Sequence, residues 1–353
     1  MRQFAGALLA GAILLGLTAC GTPADPDKAQ ESIQVIAMDT SMVFTAYGVN
    51  STKAVYAMED EVRRLESLLS RTDENSAVSW LNSGEEVSVG QEVCGLIDMA
   101  ASYTEATGGT FDISIAPVVA AWGFTTDTYR VPDPAELTEA LSRVGMEHVH
   151  LLEENGTLSA ARLDPGTEID LGGIAKGYAS DRAADLFREY EIPRGLAILG
   201  GNILAWGGRP DGTPWSVGIQ DPADPQNNSA LAGILRLTDA YAVTSGSYQR
   251  YFTENGKTYH HIIDPATGYP ADSGLTSVTV VADAAEGNGT MCDALSTALF
   301  VMGEERALDF WRSGVYDIQL VLVTTDGRVV ITDGLKDRFE EFGESGYTYE
   351  VVS

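Results

Sequence analysis

Asp170-Leu171-Gly172-Gly173-Ile174-Ala175-Lys176-Gly177-Tyr178-Ala179-Ser180-Asp181 reads as a strand end, a turn through two glycines and the start of a helix running to Tyr190. The first amides of a helix have no partner within it and sit at the positive end of its dipole. Glycines let an anion approach such a main chain closely, and Lys176 adds a full charge in the first turn. The stretch is neither G-x-x-x-x-G-K-[ST] nor G-x-G-x-x-G, which excludes the usual triphosphatase loop and the dinucleotide fingerprint. Alone, a G-G-x-x-K-G turn fits a structural role as well as an anion site.

Upstream of it, Ile33 to Val49 predicts two short strands around Asp39-Thr40. Thr52 to Leu69 and Val93 to Thr107 carry apolar residues at helical spacing, the second stopped by Gly108-Gly109. Pro132-Asp133-Pro134 opens a short helix through Val144, and His148 to Leu152 with Thr157 to Ala160 predicts a hairpin. Downstream, strands alternate with glycine-rich turns, broken by a helix near Met291 to Met302. Strands near Asp317 to Thr324 and Arg328 to Thr332 flank the Asp326-Gly327 turn. The mixture predicts an α+β fold with mixed or antiparallel sheets and inserted helices, not a doubly wound sheet.

Other blocks give the glycine turn a context. Leu199-Gly200-Gly201-Asn202 ends another strand in glycines, and Trp215 to Asp221 reads as a strand. Val243-Thr244-Ser245-Gly246 precedes His260-His261-Ile262-Ile263-Asp264-Pro265. On the downstream helix, Asp293 and Thr297 are four apart and share a face. A carboxylate with a hydroxyl suits a hard cation such as Mg²⁺, which takes oxygen ligands and shares them with substrate phosphates. Two of the four histidines form the pair 260–261. If both are on a strand, alternation sends them to opposite faces, so one at most faces a site.

The composition narrows the partners. Lys and Arg number 22 against 51 Asp and Glu, a net charge of -29 spread along the chain. That excludes the basic surface nucleic acid binding requires. At the N-terminus, Arg2 precedes an apolar run from Gly6 to Leu17 and then Leu17-Thr18-Ala19-Cys20. The run is too short to cross a membrane and has the form of a signal peptide. The pattern ending at Cys20 resembles a bacterial lipobox. It predicts a signal peptide over 1–19, a lipidated Cys20 with a flexible acidic tether over 20–32, and a globular domain over 33–353. Cys94 and Cys292 lie in apolar helical stretches and read as buried thiols; whether they are bridged stays open.

In order, Met38-Asp39-Thr40, Gly109-Thr110-Phe111-Asp112, Asp170 to Asp181, Gly200-Gly201-Asn202, Thr244-Ser245-Gly246, His261 to Pro265 and Asp293 to Thr297 resemble the ApbE-type FAD:protein FMN transferases. The resemblance spans most of the mature chain and implies that family's fold, with an FAD-binding cleft. It implies flavin contacts from Met38, with Asp39 in place of the family's usual glycine. It implies FAD contacts from Thr110, Phe111, Asp112, Asp170 and Lys176, and Mg²⁺ held by the Gly173 carbonyl, Asp293 and Thr297. For Phe111 alone, inward packing at a strand start is an equal alternative. His261 holds the family's H-I-I-D-P position, as proton acceptor or as a flavin-packing histidine, and Ile263 shares its face.

The implied reaction moves the FMN half of FAD onto a threonine or serine hydroxyl of an acceptor protein, releasing AMP. FAD is then a substrate and not a resident cofactor. Water as nucleophile would make the chain an Mg²⁺-dependent FAD diphosphatase, and a lipoprotein that only binds flavin is a third alternative. The resemblance also implies an acceptor among exported or membrane redox proteins. That agrees with a lipid-anchored enzyme on the extracytoplasmic side of the cell membrane.

Overall fold

A computed structural model describes residues 29–353 except 85, 86, 127, 155 and 344. The signal peptide, Cys20 and most of the expected tether lie outside the described residues. The hairpin of β1 (Gln30–Ala37) and β2 (Thr40–Tyr47) opens the fold, so the last three residues of the expected tether already belong to a strand. Met38 and Asp39 form its two-residue turn, with φ of 48° and 58°. Two successive left-handed residues match the twist of the flanking strands, and aspartate tolerates that conformation better than most residues.

Helices α1 (Ser51–Leu69), α2 (Ala77–Asn82) and α3 (Gly90–Ala106) follow, with the short β3 (Val87–Ser88) between the last two. Next come α4 (Ala116–Ala121), α5 (Pro134–Leu141) and the hairpin of β4 (Val149–Glu154) and β5 (Thr157–Leu163). Here the structure departs from the sequence expectation, because no strand ends at Asp170. The chain from Asp164 to Asp170 is irregular and is tied down by Asp170 N donating to Ile113 O at 2.7 Å. Phe111 likewise starts no strand. It precedes a single 3₁₀ turn, Ile113–Ile115, capped by Asp112.

After α6 (Ala175–Glu189) come β6 (Arg194–Leu199), β7 (Asn202–Trp206), β8 (Trp215–Gln220), β9 (Leu231–Leu237) and β10 (Ala240–Gly246). The hairpin of β11 (Tyr251–Glu254) and β12 (Lys257–His260) leads to the long β13 (Leu275–Asp283) and α7 (Asn288–Met302). A second helix, α8 (Glu304–Arg312), was not expected from the sequence; Gly303 separates it from α7. The chain closes with β14 (Gln319–Thr324), β15 (Arg328–Thr332), β16 (Phe339–Glu340) and β17 (Thr348–Val352).

One sheet organises these elements, in the order β1-β2-β6-β7-β10-β13-β14-β15-β17. Every neighbouring pair is antiparallel except β15 and β17, so the fold is α+β as expected. Strand residues alternate between its faces. Met42, Phe44, Tyr241 and Val243 pack on one side with Val55, Phe187 and Leu295 from α1, α6 and α7. Ala205, Ala242 and Val281 face the other side, under the small sheet β16-β9-β8. A separate aromatic cluster joins Trp122 and Phe124 to Ile263, Phe252 and Tyr259. Cys94 and Cys292 are buried and free. No described helix is long and apolar enough to cross a membrane.

Candidate active site

The site is built where α6 and α7 cross. A methyl group on Gly177 would stand 2.4 Å from the Gly289 carbonyl oxygen and 2.6 Å from Asp293 Cβ. One on Gly289 would stand 2.5 Å from Ser180 Oγ. Only glycines allow this approach, and it brings the two helix starts together. The free amides are then shared. Asp293 Oδ2 accepts from Gly177 N at 2.7 Å. In return, Asp181 accepts from Gly289 N, Thr290 N and Thr290 Oγ1 at 2.7–2.8 Å. Each helix thus caps the other with a carboxylate, satisfying donors that a helix cannot satisfy itself.

Burial raises the pKa of both carboxyls. At Asp293 the Lys176 ammonium and the Gly177 amide pull the other way. Lys176 Nζ also donates to Gly172 O at 3.2 Å, so its charge lies over the glycine turn. Gly173 lies against the Phe111 ring, where a Cβ would come within 2.9 Å of Cε2. Asp170 Oδ1 accepts from Gly172 N at 2.8 Å and its Oδ2 lies 3.6 Å from Arg71. Thr110 is buried and donates to Thr107 O at 3.2 Å. Asp112 accepts from both the amide and the hydroxyl of Ser114, while burial raises its pKa. The 109–112 block therefore forms a rigid wall beside the glycine turn.

Thr297 follows Asp293 by one helical turn. Its Oγ1 is 3.2 Å from Ser245 Oγ, which is 2.7 Å from Ser296 Oγ. Strand β10 thus delivers a hydroxyl to the face of α7 that carries Asp293 and Thr297.

The adjacent histidines separate cleanly. His260 Nε2 donates to Ala271 O, its Nδ1 accepts from Ile262 N, and its ring packs edge-on against Phe300. Both nitrogens are used, which makes it structural. His261 lies just beyond β12 and is half-buried. Its Nδ1 is 3.2 Å from Arg250 O, and a carbonyl can only accept, so Nδ1 carries the proton and Nε2 keeps its lone pair. Burial holds this imidazole down at about 3, with Arg250 and Lys176 pushing the same way. The Arg250 side chain reaches Asp39 at 3.3 Å, and Met38 N donates to Glu66 Oε1 at 2.6 Å. The β1–β2 turn is thereby tied to the His261 side of the site. Ile263, 5% exposed, packs in the cluster containing Phe124, and that ring also contacts His261.

The family model described as the ApbE family matches residues 38–322, which hold every element of this site. The chain belongs to the ApbE family. A protein of Treponema pallidum named FAD:protein FMN transferase is 32% identical over 344 residues, 92% of each chain. One of that name from Klebsiella pneumoniae is 35% identical over 291 residues, covering 81% of this chain and 86% of the relative. The crystal structure of the ApbE protein from Thermotoga maritima superposes with a TM-score of 0.79 at 33% identity, over 88% of this chain and 99% of that one.

As a cation site, this arrangement has a particular donor set. Asp293, Thr297 and Ser245 offer oxygen only, and the Gly173 carbonyl lies in the turn that Lys176 covers. Oxygen donors without nitrogen or sulfur fit a hard cation such as Mg²⁺. Among the described residues, no three His, Cys, Asp or Glu side chains are grouped to hold a metal ion. With one carboxylate, the set suits a cation that also draws ligands from water and substrate phosphates. Sequence reasoning missed the site roles of Asp181, Ser245 and Arg250, although the first two stand inside motifs it singled out. Their partners come from other elements: Asp181 meets Gly289 and Thr290, Ser245 meets Ser296 and Thr297, and Arg250 meets His261 and Asp39.

Proposed function

We propose that this chain transfers the FMN half of FAD to a hydroxyl of an acceptor protein. The observation that carries the proposal is the convergence of Lys176, Asp293 and His261 at the start of α6, where phosphate charge, oxygen ligands and a proton acceptor are needed together. The name shared by its relatives in Treponema and Klebsiella supports it.

FAD is bound and consumed. Its diphosphate is drawn to Lys176, whose charge lies over the glycine turn. Met38, Thr110, Phe111, Asp112, Asp170 and Ile263 are assigned to the walls of the FAD cleft. Asp293, Thr297 and the Gly173 carbonyl are assigned to Mg²⁺. Mg²⁺ held by these residues would supply neutralisation of phosphate charge and Lewis-acid polarisation. His261 Nε2 is free to accept the proton of the attacking threonine or serine hydroxyl. Burial and then nearby cations suppress its basicity in the free enzyme, and the anionic diphosphate offsets the cations. The hydroxyl oxygen bonds to the FMN phosphorus, the bond from that phosphorus to the AMP oxygen breaks, and AMP leaves with that oxygen. The product is a phosphoester-linked flavoprotein.

The resemblance of Leu17-Thr18-Ala19-Cys20 to a lipobox supports the reading of a lipid-anchored enzyme on the extracytoplasmic face of the membrane, beside acceptor domains of exported redox proteins. Incubation with FAD, Mg²⁺ and a candidate acceptor tests the whole proposal. Flavin fluorescence should stay with the acceptor band after denaturing electrophoresis. Release of free FMN alone, with an unlabelled acceptor, would show hydrolysis and sink the transfer step.

A further inference from the structure

Asn202 is the first residue of β7, directly after the Gly200-Gly201 turn, and only 1% exposed. Its Nδ2 is buried with no hydrogen-bond partner among the described residues. A buried amide donor left unpaired costs about 1–3 kcal/mol, so such a group needs a reason. The sheet register gives its direction. Asn202 pairs with Val243 of β10 and shares a face with Leu204, and both Val243 and Leu204 pack on the α6–α7 side. Two residues beyond Val243, Ser245 reaches Thr297 on that same side. The turn is fixed to β10 by Thr244 N donating to Gly201 O at 2.9 Å, and a Cβ on Gly201 would stand 2.6 Å from Thr244 O. Asn202 is therefore held rigidly beneath the helix crossing.

We infer that Asn202 is a positioning residue for Asp293: its buried amide is set to donate to one carboxylate oxygen, fixing the carboxylate's orientation toward a cation. Asp293 already gives Oδ2 to Gly177 N, so its rotation is limited by α6 on one side and by the β7 amide on the other. Groups that orient a metal ligand commonly change metal affinity about 10–100-fold when removed.

The inference rests on the assignment of Asp293 as a cation ligand, and the experiment separates the two. Mn²⁺ binding to the full chain is measured by electron paramagnetic resonance, with FAD binding measured in chelator and a thermal transition recorded for each protein. Asn202→Leu and Asn202→Ala should each weaken Mn²⁺ about 10-fold or more, and change FAD affinity in chelator less than twofold. Wild-type Mn²⁺ affinity in whichever variant unfolds cooperatively would overturn the inference, whatever its transition temperature. So would a parallel loss of FAD and Mn²⁺ binding, which marks general collapse of the cleft. Failure of the wild-type chain to bind Mn²⁺ with or without FAD would remove the cation site itself.

Discussion

Asp181 and Asp293 stand on different helices, and each takes main-chain amides from the start of the other's helix. The exchange is unequal. Asp181 receives three donors and is wholly occupied with the α7 start, whereas Asp293 receives one amide from Gly177 and faces Lys176. One carboxylate holds the crossing; the other has capacity left for a ligand.

Asp181→Ala should therefore lower stability by about 3 kcal/mol in urea unfolding, since it strands buried donors that a charged acceptor had satisfied. Asp293→Ala should change stability by about 1 kcal/mol or less, because losing one bond is offset by removing a desolvated carboxylate. It should also abolish Mg²⁺-dependent turnover. A large stability loss in Asp293→Ala with normal metal dependence would reverse the two roles.

Gly177→Ala tests the close approach. Alanine is about 1 kcal/mol better than glycine inside a helix. At this position its methyl would meet the Gly289 carbonyl and the Asp293 side chain, so we expect a net destabilisation of about 1–3 kcal/mol by thermal unfolding. A stabilised variant would mean the helices are free to separate.

Lys176→Ala should weaken FAD binding by about 1.5–3 kcal/mol, roughly 10- to 150-fold, the worth of a charge-assisted contact. Fluorescence titration in chelator isolates this from the metal. An unchanged dissociation constant would remove Lys176 from the phosphate site.

The His261 imidazole titrates at about 3 in the folded chain, against an ordinary value near 6.5. Between those values the unfolded chain binds a proton that the native one does not. Its contribution to stability is thus greatest above pH 6.5 and declines as pH falls toward 3. His261→Gln should flatten that part of the stability curve and leave it unchanged above pH 7. The same slope in both proteins would show that the ring titrates normally.

Periodicity located α1 and α3 to within a few residues, because each buries an apolar stripe, and α6 and α7 lie within a few residues of the helices read after the glycine turn and near Met291. The irregular chain before Asp170 was misread as a strand, since its order comes from the Ile113 carbonyl, 57 residues earlier. The short α8 went unread for a related reason. It begins at a glycine immediately after α7 and buries only Ala307 and Leu308.

By itself the sequence determined the α+β class and the family, and it singled out the glycine turn at Gly172–Lys176 and the Asp293–Thr297 pair. Each is written in local spacing, where helix and strand periods and helix-end charge act over a few residues. Only the tertiary structure decided which carboxylate is left free, which of two adjacent histidines keeps an open nitrogen, and that Asn202 lies unpaired beneath the crossing. Those outcomes depend on hydrogen-bond partners and burial supplied by strands and helices distant in the chain, so nothing in the local spacing could assign them.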